Sequence, residues 1–236
     1  RLPGRDEGPG FCKMGADALA ARSALHFWEE PCISGTRGSG TIFFAGCSLQ
    51  CVFCQNYALS HQGKGKRVSI GSLRRMMDAL VEQGAHNINL VNPTHFAAFL
   101  AQTLTGYRPG VPVVYNSSGY ESPEGLALME GKVDVYLPDF KYFDDRWAQR
   151  YSHAPDYFAW ASRALEQMVA QVGAPQMDGN GMLRRGVLVR HLVLPGHSDD
   201  SLRLLDWLES HFAGQILPKG HTAFFSSVEF PHDRMP

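Results

Sequence analysis

Mostly apolar runs alternate with amphipathic stretches along this chain of 236 residues. The runs 41–45, 87–91, 111–115, 133–137 and 186–194 read as strands buried on both faces. Between them lie segments with helical spacing. In 69–84, Leu73, Met76, Met77, Leu80 and Val81 fall at i, i+3, i+4, i+7 and i+8, so they share one face. Ser72 is placed to cap this helix and Gly84 to end it. Segments 96–105, 123–129, 160–172 and 198–212 read as further helices. Repeated strand–helix units predict an α/β fold: a parallel sheet with helices outside, as in an open, partial β/α barrel of five strands. Residues 222–227 are a candidate sixth. No internal repeat is visible.

Composition narrows the function classes. Apolar residues make up 44% and charged residues 19%, which suits a well-packed core rather than disorder. The net charge of −1 and the lack of a polybasic run give no footing for nucleic acid or anionic lipid. No apolar stretch reaches the roughly 18 residues of a membrane span, and no signal peptide is visible. Five cysteines, with three in one short motif, do not form a disulfide framework, and a reduced, cytoplasmic setting is expected. Residues 1–34, beginning at Arg1, are expected to be a truncated N-terminal segment. One barrel domain is expected over 35–236, atypical after 220. The glycine-rich stretch 34–40 has no P-loop lysine and reads as a turn into the first strand, with Arg37 a candidate contact. Cys12 and Cys32 read as unligated thiols, with a second metal site as the minor alternative.

The candidate chemistry is concentrated in 41–56, TIFFAGCSLQCVFCQN. The first apolar run ends at Gly46, and Cys47, Cys51 and Cys54 follow as C-x3-C-x2-C. Three thiolates on a loop just past a buried strand can wrap one soft metal centre. In a cubane iron–sulfur cluster they ligate three irons and leave the fourth open to a substrate or cofactor. The spacing resembles the signature of radical S-adenosylmethionine (SAM) enzymes. The string CSLQCVFCQN, with Phe53 before the third cysteine and Asn56 two residues after it, resembles the cluster loop of pyruvate formate-lyase activating enzymes. Residues 33–196 resemble an uncharacterised branch of homologues of those enzymes. The resemblance implies the radical SAM partial barrel, a [4Fe-4S] cluster, and SAM as cofactor. Relatives in this branch carry further upstream cysteines, of which Cys12 resembles the last.

In β/α barrels the working residues sit just past the C-terminal strand ends. After the second strand comes Asn92-Pro93-Thr94-His95, where the family often has Gly-Gly-Glu to hold the SAM amino group. Asn92 and Thr94 offer oxygens but no carboxylate, and either also suits a helix cap. After the third strand Asn116 is a candidate near the SAM methionine or ribose, or an Asx turn. After the fourth, Asp139-Phe140-Lys141 resembles the Asp-Leu-Lys that lines the activating enzymes' site. Asp139 and Lys141 share one face of an extended strand, as a functional or a structural ion pair. In the fifth, Arg190 interrupts an apolar run and demands an anion: the SAM carboxylate by resemblance, or Asp139 or another internal acid. His191 falls on the opposite face, as a packed or capping side chain. Phe53 is suited to lie beside the adenine.

The resemblance implies reductive cleavage of SAM to methionine and a 5′-deoxyadenosyl radical that takes hydrogen from a substrate. A flavodoxin- or ferredoxin-like electron donor is implied, with a glycyl-radical-type partner protein as the substrate that the resemblance suggests and a peptide or a small metabolite equally open. No residue is needed as a general base. The alternative is a non-catalytic iron–sulfur or zinc-binding module, with His61 as a fourth ligand.

Overall fold

The computed structural model describes residues 18–222. Cys12, the loop-like 1–9 and the stretch after 222 lie outside the described residues. The chain runs β1 (Leu19–His26), α1 (Pro31–Ser34), β2 (Ser39–Phe44), α2 (Tyr57–Ser60), β3 (Lys66–Arg67), α3 (Ile70–Glu82) and β4 (Ile88–Val91). A 3-10 turn (Thr94–Phe96) leads into α4 (Ala97–Leu104), then β5 (Val113–Ser117), α5 (Pro123–Met129) and β6 (Val135–Pro138). The rest is α6 (Asp145–Ser152), α7 (Tyr157–Val172), β7 (Gln176–Met177), β8 (Leu183–Val193), α8 (Ser198–Phe212) and β9 (Leu217–Thr222).

The sheet order is β3-β1-β2-β4-β5-β6-β8-β7, with β9 also on β8. From β2 through β4, β5, β6 and β8 to β9 every pairing is parallel. This is the expected open barrel with six parallel strands. Its first edge is covered by β1, antiparallel to β2. The alanine-rich sequence of β1 carries no strand pattern, so only its pairing makes it a strand. The sixth strand begins at Leu217 rather than at residue 222. The helix over 70–82 is capped by Ser69, whose Oγ accepts from Ser72 N at 3.2 Å, and not by Ser72. Helix α6, short and polar, was not anticipated from apolar periodicity. Asp144 caps it through the Arg146 amide. Among the described residues no helix is long and apolar enough to cross a membrane.

Alternation along the strands creates two unlike interiors. Ile42, Phe44, Ile88, Leu90, Val113, Tyr115, Tyr136, Val187 and Val189 face outward into the main core, shared with the helices. Val114, Val135, Leu137 and Leu188 face inward, where Ile33 of α1 plugs them from below. Burying Ile33 completely is worth about 2 kcal/mol of apolar transfer. Other inward positions are polar, among them Ser39, Thr41, Asn89 and Asn116. Ser39 Oγ donates to Asn87 Oδ1 at 2.6 Å, and Asn87 Nδ2 donates to Ile33 O at 2.7 Å, so the plug is fixed to β2 and to the start of β4.

Candidate functional site

Strand β2 delivers the chain to the barrel mouth, where Gly46 (φ 81°) turns it into the cysteine loop. The loop is pinned at several backbone points. Ala45 N donates to Leu19 O, Gly46 N to Leu59 O and Val52 N to Tyr151 O, each at 2.9 Å. From the end of β4, Asn92 Nδ2 donates to Gly46 O, and His95 Nε2 donates to Ala45 O at 2.8 Å. Asn92 itself sits at φ 59°, a left-handed conformation that asparagine tolerates. It therefore steadies the cysteine loop directly.

Each of the three sulfurs accepts a hydrogen bond. Leu49 N lies 3.4 Å from Cys47 Sγ, Ser152 Oγ 2.8 Å from Cys51 Sγ, and Ser60 Oγ 3.2 Å from Cys54 Sγ. Burial pushes the Cys51 thiol up to about 12, and negative charge on Cys47 or Cys54 pushes it further the same way. The three sulfurs thus lie within mutual electrostatic reach. Lys141 opposes that shift at both Cys47 and Cys51. Among the described residues no three His, Cys, Asp or Glu side chains are grouped as ligands of a single ion. His61 is engaged elsewhere: Nε2 with Gln50 O at 3.1 Å, Nδ1 with Ser60 Oγ at 2.8 Å, and its ring stacks on Tyr57. This donor set, soft sulfurs with hydrogen-bond donors and a cation nearby, fits a thiolate-held cluster better than a Cys3His zinc site.

Below the loop, the inward polar residues of five segments meet. Arg190 Nε donates to Asp139 Oδ1 at 3.0 Å, Nη1 to Glu29 Oε2 at 3.0 Å and Nη2 to Asn116 Oδ1 at 2.7 Å. Lys141 Nζ donates to Asp139 Oδ2 at 2.7 Å. Asn89 and Asn116 each offer an amide to Glu29 Oε1 at 3.3 Å. Burial pushes the Asp139 carboxyl up, but the charges of Arg190 and Lys141 outweigh it and hold it below the usual range. Lys141 is held above its usual range by Asp139, against its own desolvation. The internal acids expected for Arg190 are thus Asp139 and Glu29. A cleft beside Lys141 is walled by Tyr142, Trp147, Leu192, Leu194 and His197.

Residues 41–208 match the radical SAM superfamily. The chain belongs to that superfamily. Members of it use a [4Fe-4S] cluster and SAM, and the donor set above fits the cluster. A curated relative, the uncharacterized protein MJ0674 of Methanocaldococcus jannaschii, is 32% identical over 205 residues, 83% of this chain and 55% of the relative. Among solved structures, Streptococcus suis SuiB bound to S-adenosylmethionine is similar with a TM-score of 0.54 at 11% identity, over 78% of this chain and 39% of SuiB. SuiB bound to the precursor peptide SuiA is similar at 0.50 and 9% identity, over 70% and 34%. These two likenesses are of fold. The chain spans about half the length of the curated relative it matches.

This radical SAM barrel brings together Asn116, Asp139, Lys141 and Arg190, and it sets Asn92 against the cysteine loop. Phe53 packs edge-on to Tyr142 at 6.4 Å. Asn56 is exposed, and its carbonyl accepts from Leu59 and Ser60. Thr94 is drawn aside: its hydroxyl donates to Glu121 Oε1 at 2.6 Å. The β5–α5 loop thus brings the Glu121 carboxylate to hydrogen-bond distance of Thr94. His191 faces outward, with Nε2 near Ser201 Oγ and Nδ1 near Phe140 O. Cys32 packs against the cluster that surrounds Ile33.

Sequence reasoning missed Glu29, Glu121, Ser152 and Tyr157. Tyr157, fully buried, shares its hydroxyl proton between Ser118 O at 2.8 Å and Asp139 O at 2.9 Å and accepts from Lys141 N. It clamps the turns after β5 and β6 together. Gly119 (φ 76°) is needed beneath it, because a Cβ there would collide with the Asp139 carbonyl. No local signal marked Tyr157, which lies three residues before the helix read from the sequence at 160–172 and is the first residue of α7.

Burial raises the Glu121 carboxyl to about 7, against hydrogen bonds from Thr94, Ser117 and Tyr115 that lower it. The folded state therefore holds this proton more tightly than the unfolded state. The associated stability is fully present below about pH 4.5 and is lost as pH rises through about 7, on the order of 3 kcal/mol in all. Glu121→Gln is expected to remove that part of the pH dependence. Urea unfolding of both proteins at pH 5 and 8.5 measures it, and parallel curves would contradict the assignment.

Proposed function

We propose that this chain is the catalytic barrel of a radical SAM enzyme that acts on a peptide or protein substrate. The observation that carries the reading is the cysteine loop at the barrel mouth, whose three sulfurs each receive a hydrogen-bond donor, with Cys47 and Cys51 in the field of the Lys141 charge. In this reading Cys47, Cys51 and Cys54 hold three irons of the [4Fe-4S] cluster. When bound, the cluster supplies the electron that splits SAM into methionine and a 5′-deoxyadenosyl radical. An external flavodoxin- or ferredoxin-like protein delivers that electron.

The chain's own residues bind and orient. Asn92 fixes the Gly46 carbonyl and with it the first ligand. Thr94, its proton given to Glu121, keeps its oxygen lone pairs for an ammonium donor. Asn116, Asp139, Lys141 and Arg190 form a braced polar wall for the amino-acid end of SAM. Phe53 and Asn56 flank the third proposed ligand in sequence, and Phe53 would lie beside the adenine of bound SAM. The aromatic cleft beside Lys141 keeps water from the reacting end. The peptide class is favoured by the resemblance of CSLQCVFCQN to activating enzymes of glycyl-radical proteins, and by the peptide held by SuiB.

Anaerobic reconstitution tests this. About four irons per chain and 5′-deoxyadenosine on adding dithionite and SAM are expected. Bound zinc without SAM cleavage would instead establish the non-catalytic module.

A further inference from the structure

Cys51 is the most buried of the three sulfurs, and a chain of hydroxyls leads to it. Ser152, at the end of α6, places Oγ 2.8 Å from Cys51 Sγ. Tyr142 places its hydroxyl 2.6 Å from Ser152 Oγ. All three residues are buried. A ligating thiolate can only accept, which sets the direction of the chain. Tyr142 donates to Ser152, and Ser152 donates to the sulfur. Burial raises the Tyr142 phenol far above its usual range, so it remains a donor at any working pH.

The other two sulfurs are served differently. Cys47 has a backbone amide at 3.4 Å. Near Cys54, the Ser60 hydroxyl also meets His61 Nδ1 at 2.8 Å. Because His61 Nε2 bonds a carbonyl, it carries the proton in the neutral ring, and Nδ1 then competes for the single Ser60 proton. Among the described residues no imidazole competes for the Ser152 proton, and Tyr142, as donor to Ser152, polarises its hydroxyl further.

We infer that Ser152, backed by Tyr142, is a positioning residue that raises the reduction potential of the cluster through the Cys51 sulfur. A hydrogen bond to a ligating sulfur draws off negative charge and so favours the reduced, more negative cluster. The inference rests on Cys51 being a ligand, as proposed above.

The test is an EPR-monitored potentiometric titration of reconstituted full chains, with iron counted for each. In Ser152→Ala the equilibrium constant for reduction is expected to fall about tenfold, which is 59 mV for one electron. Tyr142→Phe is expected to shift it the same way by less, and Ser152→Thr, which keeps the hydroxyl, to retain the wild-type value. A fully loaded Ser152→Ala protein with unchanged potential overturns the inference. Should Ser152→Ala fail to load, an unchanged potential in Tyr142→Phe overturns it. A wild-type chain that takes up no cluster overturns instead the ligand assignment on which the inference rests.

Discussion

Cys51→Ala is expected to reduce 5′-deoxyadenosine formation to background and to leave the reconstituted protein short of iron. The residue is buried at the base of the loop, between the other two proposed ligands in sequence and against Ser152 in space. Its thiol, raised to about 12 by burial, must give up a proton to ligate. Lys141 and the Ser152 hydroxyl offset part of the cost of a buried thiolate, and the binding of iron supplies the rest. Two remaining cysteines cannot hold a cubane on three corners. The fold loses little, since removing one sulfur at a loop costs on the order of 1 kcal/mol. Circular dichroism should therefore match the wild type while the iron count and SAM cleavage do not. Full iron with full cleavage would take Cys51 out of the ligand set.

Arg190→Ala is expected to act on stability and on SAM together. The guanidinium makes two ion pairs, with Glu29 and Asp139, and a hydrogen bond to Asn116 inside the barrel. Removing it leaves Glu29 with amide partners alone and Asp139 with Lys141 alone. Breaking these half-buried pairs from one side costs about 3 kcal/mol, the lower end for a buried pair because Arg190 and Asp139 keep some contact with solvent. For a domain of this size that lowers the melting temperature by about 10 °C. The polar wall proposed for SAM also loses its brace, so SAM affinity should fall while the iron count stays at the wild-type level. A melting temperature within about 2 °C of wild type would refute the ion-pair account. Unchanged SAM affinity would leave Arg190 with a structural role only.

The strand ends were legible because a parallel β/α barrel carries its site on local sequence. Cys47, Asn92, Asn116, Asp139 and Arg190 each lie at or near the mouth end of a parallel strand, and the order of strands follows from the alternation. What escaped was whatever depended on a neighbour distant in sequence. β1 has no alternation of its own and becomes a strand through β2. α6 is only eight residues long, so its apolar face of Trp147, Ala148 and Tyr151 is too short to read as a helical period, and its Asp144 cap shows only in the fold. The polar inward faces of otherwise apolar strands hid Asn89 as a partner of Glu29.

By itself the sequence determined the barrel class, the three-cysteine loop and the polar residues at the strand ends, since each follows from spacing within a few positions. Only the tertiary structure decided which charges answer one another. Glu29 reaches Arg190 across 161 residues, and Ser152 reaches the Cys51 sulfur across 101. The physical reason is that a buried charge or sulfur needs a partner at hydrogen-bond distance, and chain spacing carries no information about which distant segment folds back to supply it.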